Sequence, residues 1–137
     1  MKLTLESDYA LRILLVLAKE NKTTEAKVIS RDAAVPHAFT LKILRKLLAG
    51  NIVSSDRGKC GGYSLVKEPK ELTLFEVLNV TEGELCFARC MNEDYVCTRM
   101  GDDKESCAFH RFFGGMSEKF VEALNKKTIG DILNETN

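Results

Sequence analysis

One stretch of the chain, CFARCMNEDYVCTRMGDDKESCAFH at residues 86–110, concentrates the residue types that bind metals or react with oxidants. It holds four of the five cysteines and ends in one of the two histidines. Thiolates bind zinc and iron–sulfur clusters, and neighbouring thiols can pair as disulfides. The residue types therefore leave three kinds of site open: a disulfide framework, a zinc site and an iron–sulfur site.

The composition of the chain argues against stable disulfides. At 137 residues, with 45% hydrophobic residues and two prolines, the chain is long enough for one compact unit with a core. The N-terminal MKLTLESDYA has no leader pattern, and no run approaches the roughly 20 apolar residues that a membrane span needs. We therefore expect a cytoplasmic protein without a membrane partner, and disulfides are rare in that compartment.

The charge is unevenly distributed although its sum is zero. Residues 1–70 contain 13 Lys and Arg against 7 Asp and Glu, a balance of +6. Residues 71–137 contain 7 against 13, a balance of −6. A basic front half and an acidic back half indicate a polyanionic partner for the front half.

The elements of the front half follow the order of a winged helix-turn-helix. Helices are predicted at residues 7–19, 25–33 and 37–49, and short strands at residues 52–53 and 63–66. Ser7 and Asp8 are predicted to cap the first helix, Pro36 to open the third, and Gly50 and Asn51 to turn the chain after it. In such a unit the third helix lies in the major groove of DNA and the hairpin contacts the backbone or the minor groove.

The third predicted helix has an apolar side and a polar side. We expect its buried side to carry Phe39, Ile43, Leu44, Leu47 and Leu48. Its outward side and the glycine-rich hairpin supply the candidate DNA contacts, which are His37, Thr40, Lys42, Arg45, Arg57, Lys59 and Tyr63. Lys46 is expected on the same outward side, and Cys60 in the hairpin as an exposed thiol.

The back half predicts a short amphipathic helix at residues 72–83 and a long helix at residues 107–125. The long helix carries one apolar stripe, formed by Phe109, Phe112, Phe113, Met116, Phe120, Val121 and Leu124. Burial against a second copy would give a homodimer that presents two third helices to a palindromic site, whereas burial against the chain's own front half is the alternative. The predicted fold is mainly α with a small β-wing. It comprises a DNA-binding domain at residues 1–80 and a cysteine-rich, dimerising region at residues 81–137.

Four motifs of the chain are informative together: MKLT at the start, YALR at 9–12, RGKCGGYSL at 57–65 and TIGDIL near the end. They resemble the Rrf2 family of bacterial winged-helix regulators, the group that includes IscR, NsrR, CymR and BadM. The resemblance implies a homodimer on palindromic operator DNA and, in many members, an iron–sulfur cluster. Ala34 and Asn51 stand where relatives often have glycine. Ala38, Leu41 and Lys42 stand where some relatives use polar base-reading side chains, so the operator sequence does not carry over.

The resemblance also suggests a set of ligands. The three-cysteine pattern of the family maps onto Cys90, Cys97 and Cys107, and His110 stands where IscR-like regulators place their non-cysteine ligand. It implies a 2Fe–2S or 4Fe–4S cluster, and an imidazole in place of one thiolate would make it more labile. Two further candidates for the fourth ligand are Asp8, where NsrR-like relatives use a carboxylate from the partner subunit, and Cys86.

The function expected from these observations is a repressor that senses redox state, nitric oxide or iron–sulfur status. Three alternatives remain open, namely a zinc-containing regulator, a clusterless regulator that responds to thiol oxidation or a ligand, and a protein that binds partners other than DNA. An enzyme is not expected, because the chain has no phosphate-binding glycine loop and no nucleophile elbow.

Overall fold

The computed structural model describes residues 2–136. In chain order the elements are α1 (Leu5–Glu20), α2 (Ala26–Ala33), α3 (His37–Ala49), β1 (Val53–Asp56), β2 (Gly62–Leu65), α4 (Leu74–Glu82), α5 (Ala108–Lys126) and α6 (Ile129–Thr136). Short 3-10 turns at Arg89–Met91 and Lys104–Ser106 interrupt the segment between α4 and α5. This is the predicted fold class, mainly helical with one antiparallel hairpin, and it is confirmed.

The first helix begins two residues earlier than the sequence predicts. Thr4 is its N-cap, and the Thr4 side chain accepts a hydrogen bond from the backbone N–H of Ser7 at 3.2 Å. The prediction that Ser7 and Asp8 cap the helix is therefore wrong, because both lie in its first turn. Ser7 is fully buried there, and Asp8 forms an exposed ion pair with Arg12 at 2.7 Å.

The turns on either side of α3 use left-handed residues that are not glycine. Ala34 has φ of 53° and Asn51 has φ of 57°, so the predicted left-handed turn at Asn51 is confirmed. The same role for Gly50 is wrong, since its φ is −81°. Gly50 is small for a different reason, because an added Cβ would lie 2.6 Å from Cγ2 of Val80 on α4.

The packing of α3 corrects two predicted residues. Thr40 is fully buried, because its hydroxyl donates to the carbonyls of Pro36 and Val35 at 3.2 and 3.4 Å and so needs no water. Its prediction as an outward DNA contact is wrong. Phe39, predicted to be buried, is 47% exposed and meets the ring of Tyr9 edge-on.

The hairpin formed by β1 and β2 is fixed to the loop between α1 and α2. Thr24 and Tyr63 exchange two backbone hydrogen bonds, each 2.9 Å long. Gly62 beside them has no room for a side chain, because an added Cβ would overlap the carbonyl of Thr24. Residues 57–61 therefore extend as a loop from a well-anchored base.

The last helix, α6, was not predicted and packs on α1. Ile129 is 1% exposed and belongs to the same core as the first three helices. Three backbone hydrogen bonds of 2.8 Å hold the segment, from Ile129 to the Leu72 carbonyl, from Gly130 to the Pro69 carbonyl and from Leu74 to the Lys127 carbonyl. One core thus draws on both predicted regions, 1–80 and 81–137, and the division between them stays a prediction.

The long helix α5 leaves its aromatic face uncovered. The exposed fractions are 67% for Phe109, 63% for Phe112, 39% for Phe113 and 42% for Met116. Ser117 is the residue of α5 that is buried. Among residues 2–136 no helix has both the length and the apolar character that crossing a membrane requires.

Candidate nucleic-acid interface and cysteine loop

The outward side of α3 and the loop of the hairpin form one candidate surface for nucleic acid. Lys42 and Arg45 are exposed on α3, and Arg57 and Lys59 are exposed on the hairpin loop. His37 is exposed at the start of α3, whereas Tyr63 is half-buried at the base of the hairpin. Exposed cations of this kind contact phosphates and set the register of a protein on the duplex.

A carboxylate that the sequence reasoning did not single out lies beside these cations. Glu6, in the first turn of α1, accepts a hydrogen bond from Lys46 at 2.6 Å and lies 4.0 Å from the ammonium of Lys42. Lys46 also donates to the carbonyl of Thr81 at 3.2 Å. Lys46 thus connects three helices. Glu6 is 36 residues from Lys42 and 40 residues from Lys46 in the sequence, so no local sequence pattern predicts these contacts.

A second polar cluster joins the start of α1 to the end of α4. Glu82 accepts hydrogen bonds from the backbone and the hydroxyl of Thr4, both at 2.8 Å, and from the hydroxyl of Ser7. The Ser7 hydroxyl also lies 2.6 Å from that of Thr81. These bonds, the one from Ser7 first, hold the pKa of Glu82 below its ordinary value.

The segment that carries the cysteines, residues 83–107, begins directly after Glu82. None of its residues is buried, and its regular structure is limited to the two 3-10 turns and one isolated bridge between Cys97 and Gly101. Cys86, Cys90, Cys97 and Cys107 are half-buried free thiols, and Cys60 in the hairpin is an exposed free thiol. We call residues 83–107 the cysteine loop.

The first half of the cysteine loop is fastened to α5 through Ser117. The buried Ser117 hydroxyl accepts a hydrogen bond from the backbone N–H of Phe87 at 3.0 Å. The same hydroxyl donates a hydrogen bond to the sulfur of Met91 at 3.3 Å. A side chain at Gly114 would approach the Met91 methyl to 3.2 Å. The ring of Phe87 packs on that of Phe120 with centroids 5.5 Å apart. The signal for this anchor in the sequence is Ser117 itself, a polar residue on the apolar face of the long helix.

The second half of the cysteine loop turns tightly at Cys97. The N–H of Gly101 donates to the Cys97 carbonyl at 2.8 Å. Backbone N–H groups of Met100 and Arg99 point at the sulfur and lower the pKa of the Cys97 thiol, with a smaller contribution from the charge of Arg99. The guanidinium of Arg99 also lies 3.9 Å from the sulfur of Cys107. By contrast, burial raises the pKa of Cys86.

His110 lies in the first turn of α5 and, within residues 2–136, has one ring nitrogen without a partner. Its side chain is 15% exposed, and Nε2 lies 3.6 Å from a carboxylate oxygen of Glu105. Nδ1 is buried and has no hydrogen-bond partner among the described residues. A buried nitrogen without a partner is costly, so it marks a position where a ligand or a local rearrangement would be favourable.

The predicted ligands are not brought together in this arrangement. Within residues 2–136 no three side chains of His, Cys, Asp or Glu lie close enough to hold a metal ion. Asp8, on α1, is paired with Arg12. The donor chemistry itself, thiols followed by an imidazole nitrogen without a partner, suits a cluster or zinc. Such a group would require the cysteine loop to close around it.

Comparison with known proteins identifies the family. The Rrf2 family model, described as an iron-dependent transcriptional regulator, matches residues 3–135. The chain belongs to the Rrf2 family. As an Rrf2 protein it is a DNA-binding transcriptional regulator and not an enzyme, and its third helix and hairpin are the recognition helix and wing of that fold.

Relatives within the Rrf2 family carry different names. Protein aau3 of Rhizobium meliloti is 31% identical over 97% of this chain and 85% of its own length. The regulator NsrR of Shouchella clausii is 28% identical over 98% of this chain and 91% of its own length. The regulator IscR of Klebsiella pneumoniae (strain 342) is 27% identical over 98% of this chain and 80% of its own length.

Solved structures support the same fold. CymR, the global cysteine regulator of B. subtilis, superposes with a TM-score of 0.77 at 24% identity and covers 100% of this chain and 99% of its own. T. potens IscR superposes with a TM-score of 0.76 at 20% identity and covers 100% of this chain and 89% of its own. At these identities the likeness concerns the fold.

Proposed function

We propose that this Rrf2 protein is a homodimeric repressor that binds a palindromic operator and senses redox state, nitric oxide or iron–sulfur status through its cysteine loop. The observation that carries the proposal is the position of Cys107, which is both the last residue of the loop and the N-cap of α5. A change in the loop therefore acts directly on the helix with the uncovered aromatic face. Switches of this kind work when a local change biases how two rigid units are spaced.

The aromatic face of α5 supports the homodimer. Phe109 and Phe112 are each more than 60% exposed, which is costly in water for a cluster of large apolar side chains. A second copy of α5 would bury this face around a twofold axis. Two recognition helices related by that axis read two half-sites of a palindrome.

For the loop, we infer that Cys90, Cys97, Cys107 and His110 hold an iron–sulfur cluster. When bound, a 2Fe–2S or 4Fe–4S cluster supplies reversible electron transfer and reactivity toward oxidants. The chain's own contribution is a Cys97 thiol with a lowered pKa and a His110 nitrogen that lacks a partner. Asp8 and Cys86 remain further candidates for the fourth position.

A second candidate is a clusterless Rrf2 regulator that responds to oxidation of its thiols. Two observations favour it, the separation of the predicted ligands and the lowered pKa of Cys97. Thiols with a lowered pKa and solvent access are oxidised first. A zinc site of three cysteines and His110 is the third possibility for the same loop.

The cofactor is tested by the absorbance of protein purified without oxygen, with iron, sulfide and zinc measured on the same sample. We expect a broad band near roughly 400 nm with matched iron and sulfide. Cys97→Ala should remove the band and leave a folded protein, whereas Cys60→Ala in the wing should keep it. A full band in Cys97→Ala would contradict the ligand assignment. Stoichiometric zinc without colour would establish the zinc site, and metal-free protein that resists reconstitution would leave a winged-helix regulator whose cysteines answer to another signal.

The homodimer is tested by sedimentation of two aromatic variants. Phe112→Asp places a charge in the middle of the α5 face, so we expect a monomer. Phe39→Asp changes an exposed aromatic residue on α3 and should leave a dimer. A Phe112→Asp protein that sediments as a dimer would place the interface elsewhere.

A further inference from the structure

The recognition helix α3 has an acidic neighbour that is not part of it. Within residues 2–136 the ion pairs made by α3 side chains both end on Glu6 of α1, which is 26% exposed. One carboxylate oxygen lies 2.6 Å from Lys46 and the other 4.0 Å from Lys42. The next acid on α1, Asp8, is paired with Arg12 on its own helix. Glu6 is thus the acid that offsets positive charge on α3.

The two lysines are held to different degrees. Lys46 has two acceptors, Glu6 and the carbonyl of Thr81, and is fixed between helices. Among the residues that the structure describes, Lys42 has only the longer contact, and its side chain is 68% exposed. It lies on the outward side of α3 close to Arg45. Lys42 is therefore free to exchange the carboxylate for a phosphate, while Lys46 stays in place.

The position of Glu6 is set by a rigid turn. The first turn of α1 is capped by Thr4, and both Thr4 and the buried Ser7 are hydrogen-bonded to Glu82 of α4. The positive end of the helix dipole further favours a carboxylate in this turn. The backbone of Glu6 therefore stays in place when DNA approaches α3.

We propose that Glu6 is a specificity-determining residue that competes with DNA phosphate for Lys42 and lowers affinity for DNA of unrelated sequence. This inference rests on the proposed function, in which α3 meets the duplex. Phosphate contacts supply essentially all non-specific affinity, whereas base contacts distinguish the operator. Weakening one phosphate contact and adding a repulsive charge therefore raises the ratio of specific to non-specific binding.

The test is fluorescence anisotropy of a duplex of mixed sequence, titrated with the full chain at several salt concentrations. Glu6→Gln should bind about three- to fivefold more tightly near roughly 0.1 M salt, because Lys42 is released and a repulsive charge is removed. The slope of log K against log salt should steepen by up to about 0.9, the value for one added phosphate contact. Glu20→Gln, at the other end of α1, removes the same charge and should change the affinity much less.

A double variant, Glu6→Gln with Lys42→Ala, separates the contact between Glu6 and Lys42 from other effects of the charge on Glu6. In a Lys42→Ala background the change from Glu6 to Gln should tighten binding much less than in the wild-type background. An unchanged or weaker affinity of Glu6→Gln, a gain matched by Glu20→Gln, or a full gain without Lys42 would each overturn the inference. Glu6→Asp withdraws the carboxylate by one methylene, so it should give a smaller gain of the same sign, and it serves if Glu6→Gln does not fold.

The proposed function is judged separately in the same titrations. Salt-dependent binding by the wild type, weakened by Arg57→Ala in the wing but not by Arg111→Ala on α5, supports DNA binding whatever Glu6 does. If the wild type fails to bind the duplex even at low salt, both the proposed function and the role of Glu6 are overturned.

Discussion

The winged helix and the cysteine loop are built in opposite ways. In the winged helix, apolar side chains from α1, α2 and α3 are fully excluded from water, among them Ile13, Ile29 and Leu44. In residues 83–107 no side chain is buried, and the backbone is held by a few turns, one bridge from Cys97 to Gly101 and the hydrogen bond from Phe87 to Ser117 on α5. Regions with little buried surface open at low free-energy cost. The DNA-reading part is thus rigid, and the part that would respond to a signal is adaptable.

The sharpest test of this contrast compares one apolar truncation in each region. Leu44→Ala opens a cavity in the core of the winged helix and should lower the free energy of unfolding by about 3 kcal/mol. Val96→Ala in the cysteine loop, where the side chain is 67% exposed, should change it by less than about 0.5 kcal/mol. Urea denaturation followed by circular dichroism gives both values. Comparable losses would mean that the loop packs as tightly as the core.

A smaller effect is expected from adding one methyl group to a glycine of each region. Gly62→Ala would force the hairpin away from Thr24 and should cost about 2 kcal/mol. Gly101→Ala faces open space at φ of 58° and should cost about 1 kcal/mol, the penalty of the left-handed conformation alone. Thermal or urea unfolding of the two variants measures the difference. A larger loss for Gly101→Ala would show that the loop is the more constrained backbone.

The smallest effect concerns Glu82, at the junction of the two regions. Because hydrogen bonds, chiefly from Ser7, lower its pKa below the ordinary 4.5, the charged carboxylate stabilises the fold above that pH. This stability is lost as the pH falls through the lowered pKa. Glu82→Gln should therefore cost about 1 kcal/mol near neutral pH and clearly less in acid.

Urea unfolding of Glu82→Gln near neutral pH and in acid measures this dependence. The variant Glu84→Gln, which changes an exposed neighbouring carboxylate, is the control. A loss of the same size at both pH values would mean that the charge on Glu82 does not matter to the junction.

The sequence predicted best where a local rule decides the structure. The bounds of α3 followed from apolar periodicity between Pro36 and the left-handed turn at Asn51. Thr40 was placed outside because a hydroxyl was read as polar, yet two nearby carbonyls satisfy it inside the core. The apolar character of Phe39 predicts a buried residue, yet Phe39 is 47% exposed and meets the ring of Tyr9 edge-on.

The candidate site was predictable in composition and not in geometry. The four cysteines and His110 are visible in the sequence, but whether they converge depends on the path of a loop without periodicity. The pairing of Glu6 with Lys42 and Lys46 is non-local, so it needed the packing of α1 on α3. The helix α6 was missed, and its place in the core depends on non-local packing against α1 that no local pattern indicates.

The return of α6 to α1 has a consequence for synthesis on the ribosome. Ile129 fills part of the core that also contains Leu14 and Leu44, and the backbone around it is hydrogen-bonded to Leu72. A nascent chain that has exposed only the recognition helix and wing still lacks this piece of its interior. The DNA-reading unit therefore reaches its final packing late in translation, after the cysteine loop and α5 have already emerged.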